Sequence, residues 1–245
     1  MPDVTVSPST VSVTVATASA VPWDPSTSVD IYSDFVNDAS PFGISTGTAG
    51  NPGSSTYTFG GDNGAMFGKI NLSLSGTQGA RIGVYAAQAD TANVSRTRLI
   101  TDGAYDFKCR CGITTAAALQ RTVVGLCVTH GPPSATLIIQ DGAAFLANGD
   151  TGNWNAVIAT GNVMDQVATG YSTSAMRTLR MTTNAAGTEV NFYIDGNLVR
   201  TAAPTWDTSS SLAWGFEMRD KQTGGSGTNG LAVIDFMRLQ FTIAR

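Results

Sequence analysis

The sequence predicts an all-β fold, two antiparallel sheets packed as a sandwich and preceded by an extended arm. Three observations predict it. Apolar and polar residues alternate with period 2 in run after run, Gly/Asn/Asp-rich turn signals separate the runs, and no 3.6-residue period reaches helix length. Composition agrees: 42% of the 245 residues are apolar, enough for a sizeable core, and only 13% are charged. Glu189 and Glu217 are the only glutamates, which excludes a helical bundle or coiled coil rich in Ala, Glu, Lys and Leu.

Residues 1–25 come first and read differently from the rest. Val4, Val6, Val11, Val13 and Val15 alternate with Ser and Thr, the period of a strand. Pro8 interrupts the run, and Pro22 and Pro25 bracket Trp23. A segment this short encloses no core of its own. It is read as an anchoring arm whose valine face and backbone groups are satisfied by strand addition to a neighbouring subunit. The sandwich domain is placed at 26–245.

From there strand-like runs follow at 29–36, 57–60, 67–74, 80–85, 96–100, 105–113 and 122–129, with 40–55 read as a Gly/Ser/Pro-rich loop. Further runs follow at 135–140, 143–147, 154–159, 176–182, 189–194, 198–202, 211–219 and 231–243. Residues 114–121 are read as a hairpin connection, with one helical turn within 115–119. Two runs show the physics clearly. Val190, Phe192 and Ile194 share one face while Glu189, Asn191, Tyr193 and Asp195 share the other, and Asp195-Gly196 or Gly196-Asn197 then supplies a tight turn. Leu212, Trp214, Phe216 and Met218 alternate in the same way, as expected of half-buried antiparallel strands.

Charge and patterning exclude several function classes. The net charge is −4 and no Lys/Arg run occurs, which argues against a nucleic-acid partner. No apolar stretch is long enough to span a membrane. The opening Met1-Pro2-Asp3-Val4 has neither a basic nor an apolar leader region, so synthesis in a reducing cytoplasm is expected. Cys109, Cys111 and Cys127 do not make a disulfide framework.

Three C-terminal segments carry a family resemblance: Thr178-Leu-Arg-Met181, Val190-Asn-Phe-Tyr-Ile-Asp-Gly196 and Ala232-Val-Ile-Asp-Phe-Met-Arg-Leu239. A strand, a hairpin and a closing strand of this kind resemble the concanavalin A-like (laminin G-like) jelly rolls. The resemblance covers residues 170–245 by motif and 30–170 by strand order alone. It implies a jelly-roll sandwich but not an activity, because that superfamily includes lectins, β-glucan hydrolases, adhesion modules and viral surface proteins. The segment Pro8-Ser-Thr-Val-Ser-Val-Thr-Val15 resembles N-terminal segments of bacteriophage head and tail proteins, which implies a place in a virion.

Hydrolases of the superfamily carry a Glu-x-Asp-x-(x)-Glu run on one strand. None occurs here, leaving Glu189 and Glu217 as the only pair of glutamates for acid–base chemistry. Retaining glycosidases place two carboxyls about 5–5.5 Å apart, and inverting ones about 6.5–9.5 Å. Both glutamates are expected on the polar faces of neighbouring strands, as solvated residues screened by Arg180 or Arg219. Glu189, Tyr193 and Glu217 are thus the glycan-facing candidates, and catalysis is not expected.

The remaining motifs read more plainly as structure. His130 precedes the turn Gly131-Pro132-Pro133 and lacks the partners of a catalytic triad. Cys109 and Cys111 share a strand face with Cys127 expected opposite on the next strand, so three small buried hydrophobes are predicted, with a Cys127 bridge geometrically open. Gly225-x-Gly227-x-x-Gly230 precedes a strand instead of opening a helix, so it is a loop and not a dinucleotide site. The turns 61–64 and 148–153 lack the spacing of a calcium loop, and the sequons at Asn71 and Asn93 have no secretory route.

The expectation is a non-enzymatic bacteriophage virion structural protein, a capsid decoration (cement) or head-fibre protein anchored by Val4, Val6, Val11, Val13 and Val15 and displaying a jelly roll. Its expected partners are the major capsid protein or other virion subunits, in a homotrimer, with a host-surface glycan as a further ligand. No cofactor, metal, nucleic acid or membrane is expected. The rival is a carbohydrate-binding or glycan-hydrolysing receptor-binding protein of the tail-fibre type. An aromatic-lined polar groove with paired carboxylates separates the two.

Overall fold

The computed structural model describes residues 28–35, 43–48, 55–60, 68–76, 80–85, 104–115, 120–128, 139, 141–148, 152–161, 163–205, 213–220 and 229–242. The arm at 1–25, the run at 96–100, His130, Asn93, the turn residues 61–64 and 149–151, residues 116–119 and the loop 221–228 lie outside the described residues. Of the run expected at 135–140, only Ile139 is described.

Fifteen strands are described in chain order. The first eight are β1 (Ser28–Ser33), β2 (Gly43–Thr48), β3 (Thr56–Phe59), β4 (Ile70–Leu74), β5 (Ala80–Tyr85), β6 (Tyr105–Thr115), β7 (Gln120–Val128) and β8 (Asp141–Asn148). The rest are β9 (Asn153–Thr160), β10 (Val163–Ser172), β11 (Arg177–Thr183), β12 (Val190–Ile194), β13 (Asn197–Ala202), β14 (Ala213–Asp220) and β15 (Gly230–Thr242). They form two antiparallel sheets. Sheet A runs β13-β12-β11-β6-β15-β4-β3 with β1 also on β15, and sheet B runs β10-β9-β8-β7-β14-β5-β2. The all-β, two-sheet antiparallel sandwich expected from the sequence is the observed architecture.

Alternation decides which residues meet between the sheets. From sheet A, Ile70 and Leu72 of β4, Phe107 and Cys109 of β6, Leu179 and Met181 of β11, and Phe192 of β12 face inward and are fully or almost fully buried. From sheet B, Ile82, Val124, Phe145, Trp154, Trp214 and Phe216 meet them in one core. Aromatic pairs bridge the two sheets at its centre. Phe107 stacks on Trp214 at 5.0 Å between ring centroids, and Phe145 meets Phe192 edge-on at 5.4 Å.

Local chemistry sets the turns and edges. The β12–β13 hairpin closes through Asp195-Gly196, both with positive φ (51° and 84°), as the first of the two expected turns requires. β15 is long enough to serve two neighbours on one flank: its first half pairs with β4 and its second half with β1. The register shift between Ile234 and Phe236 lies between the two halves. On the opposite side, Arg200 of β13 ties the sheets together. It donates to the carbonyl oxygens of Ala156 (2.7 Å) and Asp165 (2.9 Å) and to the Asp165 carboxylate (2.5 Å).

Two strands escape the sequence reading. β2 lies inside the stretch read as a loop. β10 is an edge strand exposed along most of its length, so no buried face imposes alternation on it. β8 shows the opposite effect. It is buried on both faces, because Val123, Ile139, Ala144, Leu146, Val157 and Ala159 form a second, smaller apolar cluster on the outer side of sheet B.

The expected β6–β7 hairpin is not formed. β6 belongs to sheet A and β7 to sheet B, so the two do not pair. Cys109 and Cys111 are free and buried in the core, whereas the Cys127 backbone pairs with Ala213 and Gly142 in the other sheet. Packed sheets stand about 10 Å apart, beyond the Cα separation of about 7 Å that a disulfide tolerates. The bridge left open by the sequence is excluded on that ground.

Candidate functional site: the outer face of sheet B

The two glutamates do not lie on neighbouring strands. Glu189 is exposed at the entrance to β12 in sheet A, where its carboxylate accepts a 2.7 Å bond from the Asn191 amide. Glu217 lies in the middle of β14 in sheet B and is only 3% exposed. The expectation of two solvated glutamates on adjacent strands is therefore corrected. The alternation along 211–219 is right, but the polar face of β14 is itself covered. Tyr193 stays on the outer face of sheet A, where the Arg180 guanidinium lies 5.3 Å from its ring centre. Glu189 and Tyr193 thus share a sheet that Glu217 does not.

What surrounds Glu217 follows from register. Gly83 of β5 and Val123 of β7 flank it across the strands, and Gly215 precedes it on the same face, opposite Tyr85 and Gly125. The Tyr85 side chain folds back over the two flanking glycines. A Cβ built on Gly83 would lie 2.4 Å from the Tyr85 hydroxyl, and one on Gly215 would lie 2.8 Å from its Cδ1. Only residues without a Cβ let the ring lie across the sheet. So placed, Tyr85 donates a 2.5 Å hydrogen bond to Glu217 Oε2. Arg219, two residues along the same face, donates from Nε (2.8 Å) and Nη2 (2.6 Å) to Oε1.

The electrostatics are those of a compensated buried acid. Burial pushes the Tyr85 hydroxyl well above its ordinary range, and the Glu217 charge and hydrogen bond push it further, while Arg81 and Arg219 pull the other way. Both oxygens of Glu217 are occupied, one by a phenol and one by a guanidinium. Across the strands its neighbours are a glycine and a valine. With Glu189 beside the other sheet, the two glutamates do not form a pair flanking a scissile bond.

A row of arginines lies next to it. Arg81 of β5, Arg219 of β14 and Arg121 of β7 stand side by side in register, and Asn148 of β8 continues the row. Arg121 donates from Nη1 to the Asn148 side-chain oxygen. The sequence reading missed this row together with Tyr85, because the three arginines are far apart in the chain and only strand order brings them together. The signal that was available is parity. Arg81, Arg121 and Arg219 each sit in alternation with core residues of a strongly patterned strand.

Sheet A makes an instructive contrast. Arg180, Lys108 and Arg238 also stand in register across β11, β6 and β15. There the neighbouring row supplies the acids. Arg180 forks onto Asp106 with two 2.9 Å bonds, Lys108 lies 3.5 Å from the same carboxylate, and Arg238 forks onto Asp30 at 3.0 and 2.6 Å. Hydrogen bonding to Arg238 holds the Asp30 carboxyl below its ordinary range. This is a charge ladder in which each cation faces an aspartate.

No protein-family model matches the sequence, and no curated protein matches it. Solved structures do match the fold. A protein of unknown function from Shewanella oneidensis MR-1 is similar at a TM-score of 0.59 and 16% identity, covering 90% of each chain. A structure described as a native glycosidic hydrolase is similar at a TM-score of 0.56 and 13% identity over 87% of this chain and 95% of that one. The carbohydrate recognition domain of Emp47p is similar at a TM-score of 0.53 and 12% identity, over 91% and 99%. At these identities the likeness shows the fold, a concanavalin A-like jelly-roll sandwich.

Proposed function

We propose that this chain is a non-enzymatic surface protein of a bacteriophage virion, a capsid decoration or head-fibre protein that displays its jelly roll and is anchored by residues 1–25. The observation that carries the non-enzymatic part is the separation of the two glutamates onto different sheets, with Glu217 held between Tyr85 and Arg219. A pair of carboxylates able to protonate and attack a glycosidic bond has no counterpart in that arrangement. The virion part is supported by the sequence of the arm, five alternating valines among Ser and Thr, whose backbone needs a partner strand. Homotrimeric assembly on a capsid or tail axis, with the major capsid protein as partner, completes the reading.

Deleting residues 2–22 tests the anchor. The expected product is a folded jelly roll that no longer binds particles, and a truncated protein that decorates particles normally refutes the anchor. Release of reducing sugar from host-surface polysaccharide by the intact protein, lost on Glu217→Gln, refutes the non-enzymatic part.

A second reading is that the jelly roll recognises a glycan on the host surface. Its support is the fold shared with a carbohydrate recognition domain, together with a polar row that crosses four strands of sheet B.

A further inference from the structure

We propose that the free edge of β10 receives residues 11–15 of a second copy of this chain as an added antiparallel strand of sheet B. This rests on the reading above, that the arm donates a strand to a neighbouring subunit, and names the subunit and the acceptor edge.

β10 closes one end of sheet B, with β9 on one side and no strand among the described residues on the other. Its pairing with β9 is regular from Val163 to Ala168. Nη1 of Arg200 reaches the carbonyl oxygens of both Ala156 and Asp165, at 2.7 and 2.9 Å, so both oxygens lie in the seam between β9 and β10. Asp165 and Val167 therefore spend their backbone groups on β9, and Met164, Gln166 and Ala168 direct theirs outward. Those outward groups meet no partner among the described residues, the condition in which an edge accepts another strand. Other edges are blunted: β3 is four residues long, and β13 pairs through a register shift. The one charge on residues 163–168, Asp165, is engaged by Arg200 at 2.5 Å.

Side chains supply the register. Met164 packs on the apolar cluster outside sheet B, so Val163, Asp165 and Val167 point to the inner side. There β13, the last strand of sheet A, lies against β9, and β10 projects past it. Val163 is consequently 73% exposed and Val167 43% exposed, four residues apart along the edge. Val11 and Val15 are also four residues apart, and Val13 between them shares their face. An antiparallel strand with Val15 opposite Val163 and Val11 opposite Val167 covers both exposed valines, with the apolar pairs on one face. Residues 4–23 carry no charge, so none is buried against the edge. The arm joins the sandwich at β1, five strand spacings from β13, or about 24 Å at about 4.8 Å each. Donor and acceptor thus lie on opposite flanks, the arrangement of a head-to-tail exchange that closes into a ring. Residues 16–27 span up to about 40 Å at about 3.3 Å each, enough to reach the next copy without turning back around the sandwich. Val4 and Val6, beyond Pro8, remain for the virion surface.

The test measures the mass of the full-length protein in solution by light scattering. The wild type is expected to be an oligomer. Gln166→Pro removes an outward N–H and sets a ring on the edge, and is expected to be a monomer with an unchanged melting temperature. Deleting residues 2–22 is expected to give a monomer as well. A monomeric wild type, or an oligomer that survives either change, overturns the inference. A second measurement holds even where Gln166→Pro misfolds. Val163 and an incoming Val15 would form a non-hydrogen-bonded pair with Cα atoms about 4.5 Å apart, within reach of a disulfide. Oxidising a mixture of the single variants Val15→Cys and Val163→Cys is expected to give a covalent dimer, and Val15→Cys with Leu198→Cys, on the β13 edge, is expected to give none. No dimer, or an equal yield with Leu198→Cys, overturns the acceptor edge. A link formed only within one chain of the double variant overturns the second copy. Particle binding separates this inference from the anchor. Binding lost on deleting residues 2–22 with the oligomer intact overturns the inference alone, whereas normal decoration by a truncated monomer overturns the anchor alone.

Discussion

The Tyr85 hydroxyl of β5 donates a 2.5 Å hydrogen bond to Glu217 Oε2 of β14, across 132 residues of sequence. The bond satisfies a carboxylate that is buried on the outer side of a sheet, where a glutamate is ordinarily solvated. It depends on Gly83 and Gly215, over which the ring lies.

Replacing Tyr85 by Phe removes the donor and leaves a buried acceptor short of a partner. A loss of about 1–3 kcal/mol is expected by urea denaturation. The pH dependence has a definite sign. The Tyr85 proton is held in the folded state above its unfolded pKa of about 10. Its contribution is therefore complete below about pH 10 and is lost as pH rises toward the folded value. Tyr85→Phe is expected to flatten the decline in stability that the wild type shows on this alkaline limb.

The two glutamates are expected to respond unequally. Glu217→Gln breaks a buried contact with Arg219 and is expected to cost about 1–3 kcal/mol. Glu189→Gln, on an exposed residue, is expected to stay within about 0.5 kcal/mol of wild type. Equal effects in parallel denaturation curves would contradict the assignment of the pair to different environments.

The centre of the core is expected to carry the largest single-residue losses. Trp214→Ala removes a ring stacked on Phe107 from the opposite sheet, and Phe192→Ala one that meets Phe145 edge-on. Each is expected to lower stability by about 3–5 kcal/mol in denaturant titrations.

The thiols are expected to be reduced. Burial, together with the neighbouring Cys111, pushes the Cys109 thiol well above its ordinary range, which makes it slow to react in the native state. Titration of unfolded protein is expected to find all three cysteines of the sequence free, and a single free thiol would mean a bridge that the sheet assignment of β6 and β7 forbids.

Parity was legible without a structure. The face of each patterned strand follows from alternation, so the inward positions of Val190, Phe192 and Ile194 and of Trp214, Phe216 and Met218 read directly from the sequence. So did the Asp195-Gly196 turn, whose conformation is a local property of two residues that accept positive φ. The resemblance of the C-terminal strands implied the jelly roll, and the two sheets have that form.

Which strands become neighbours was not legible, because pairing is a long-range choice that alternation does not encode. β6 and β7 follow each other in the chain but enter different sheets, which separates Cys127 from Cys109. β5, β14 and β7 come from three distant parts of the chain and meet in sheet B, which puts Arg81, Arg219 and Arg121 in one row. Outward alternation likewise predicts solvent for Glu217, yet it is buried and bonded by Tyr85 and Arg219. The sequence by itself determined the strands, their faces and the tight turn, since each depends on residues a few positions apart. Only the tertiary structure decided the neighbours, and with them the charge row and the buried acid, because those depend on contacts between residues far apart in the chain.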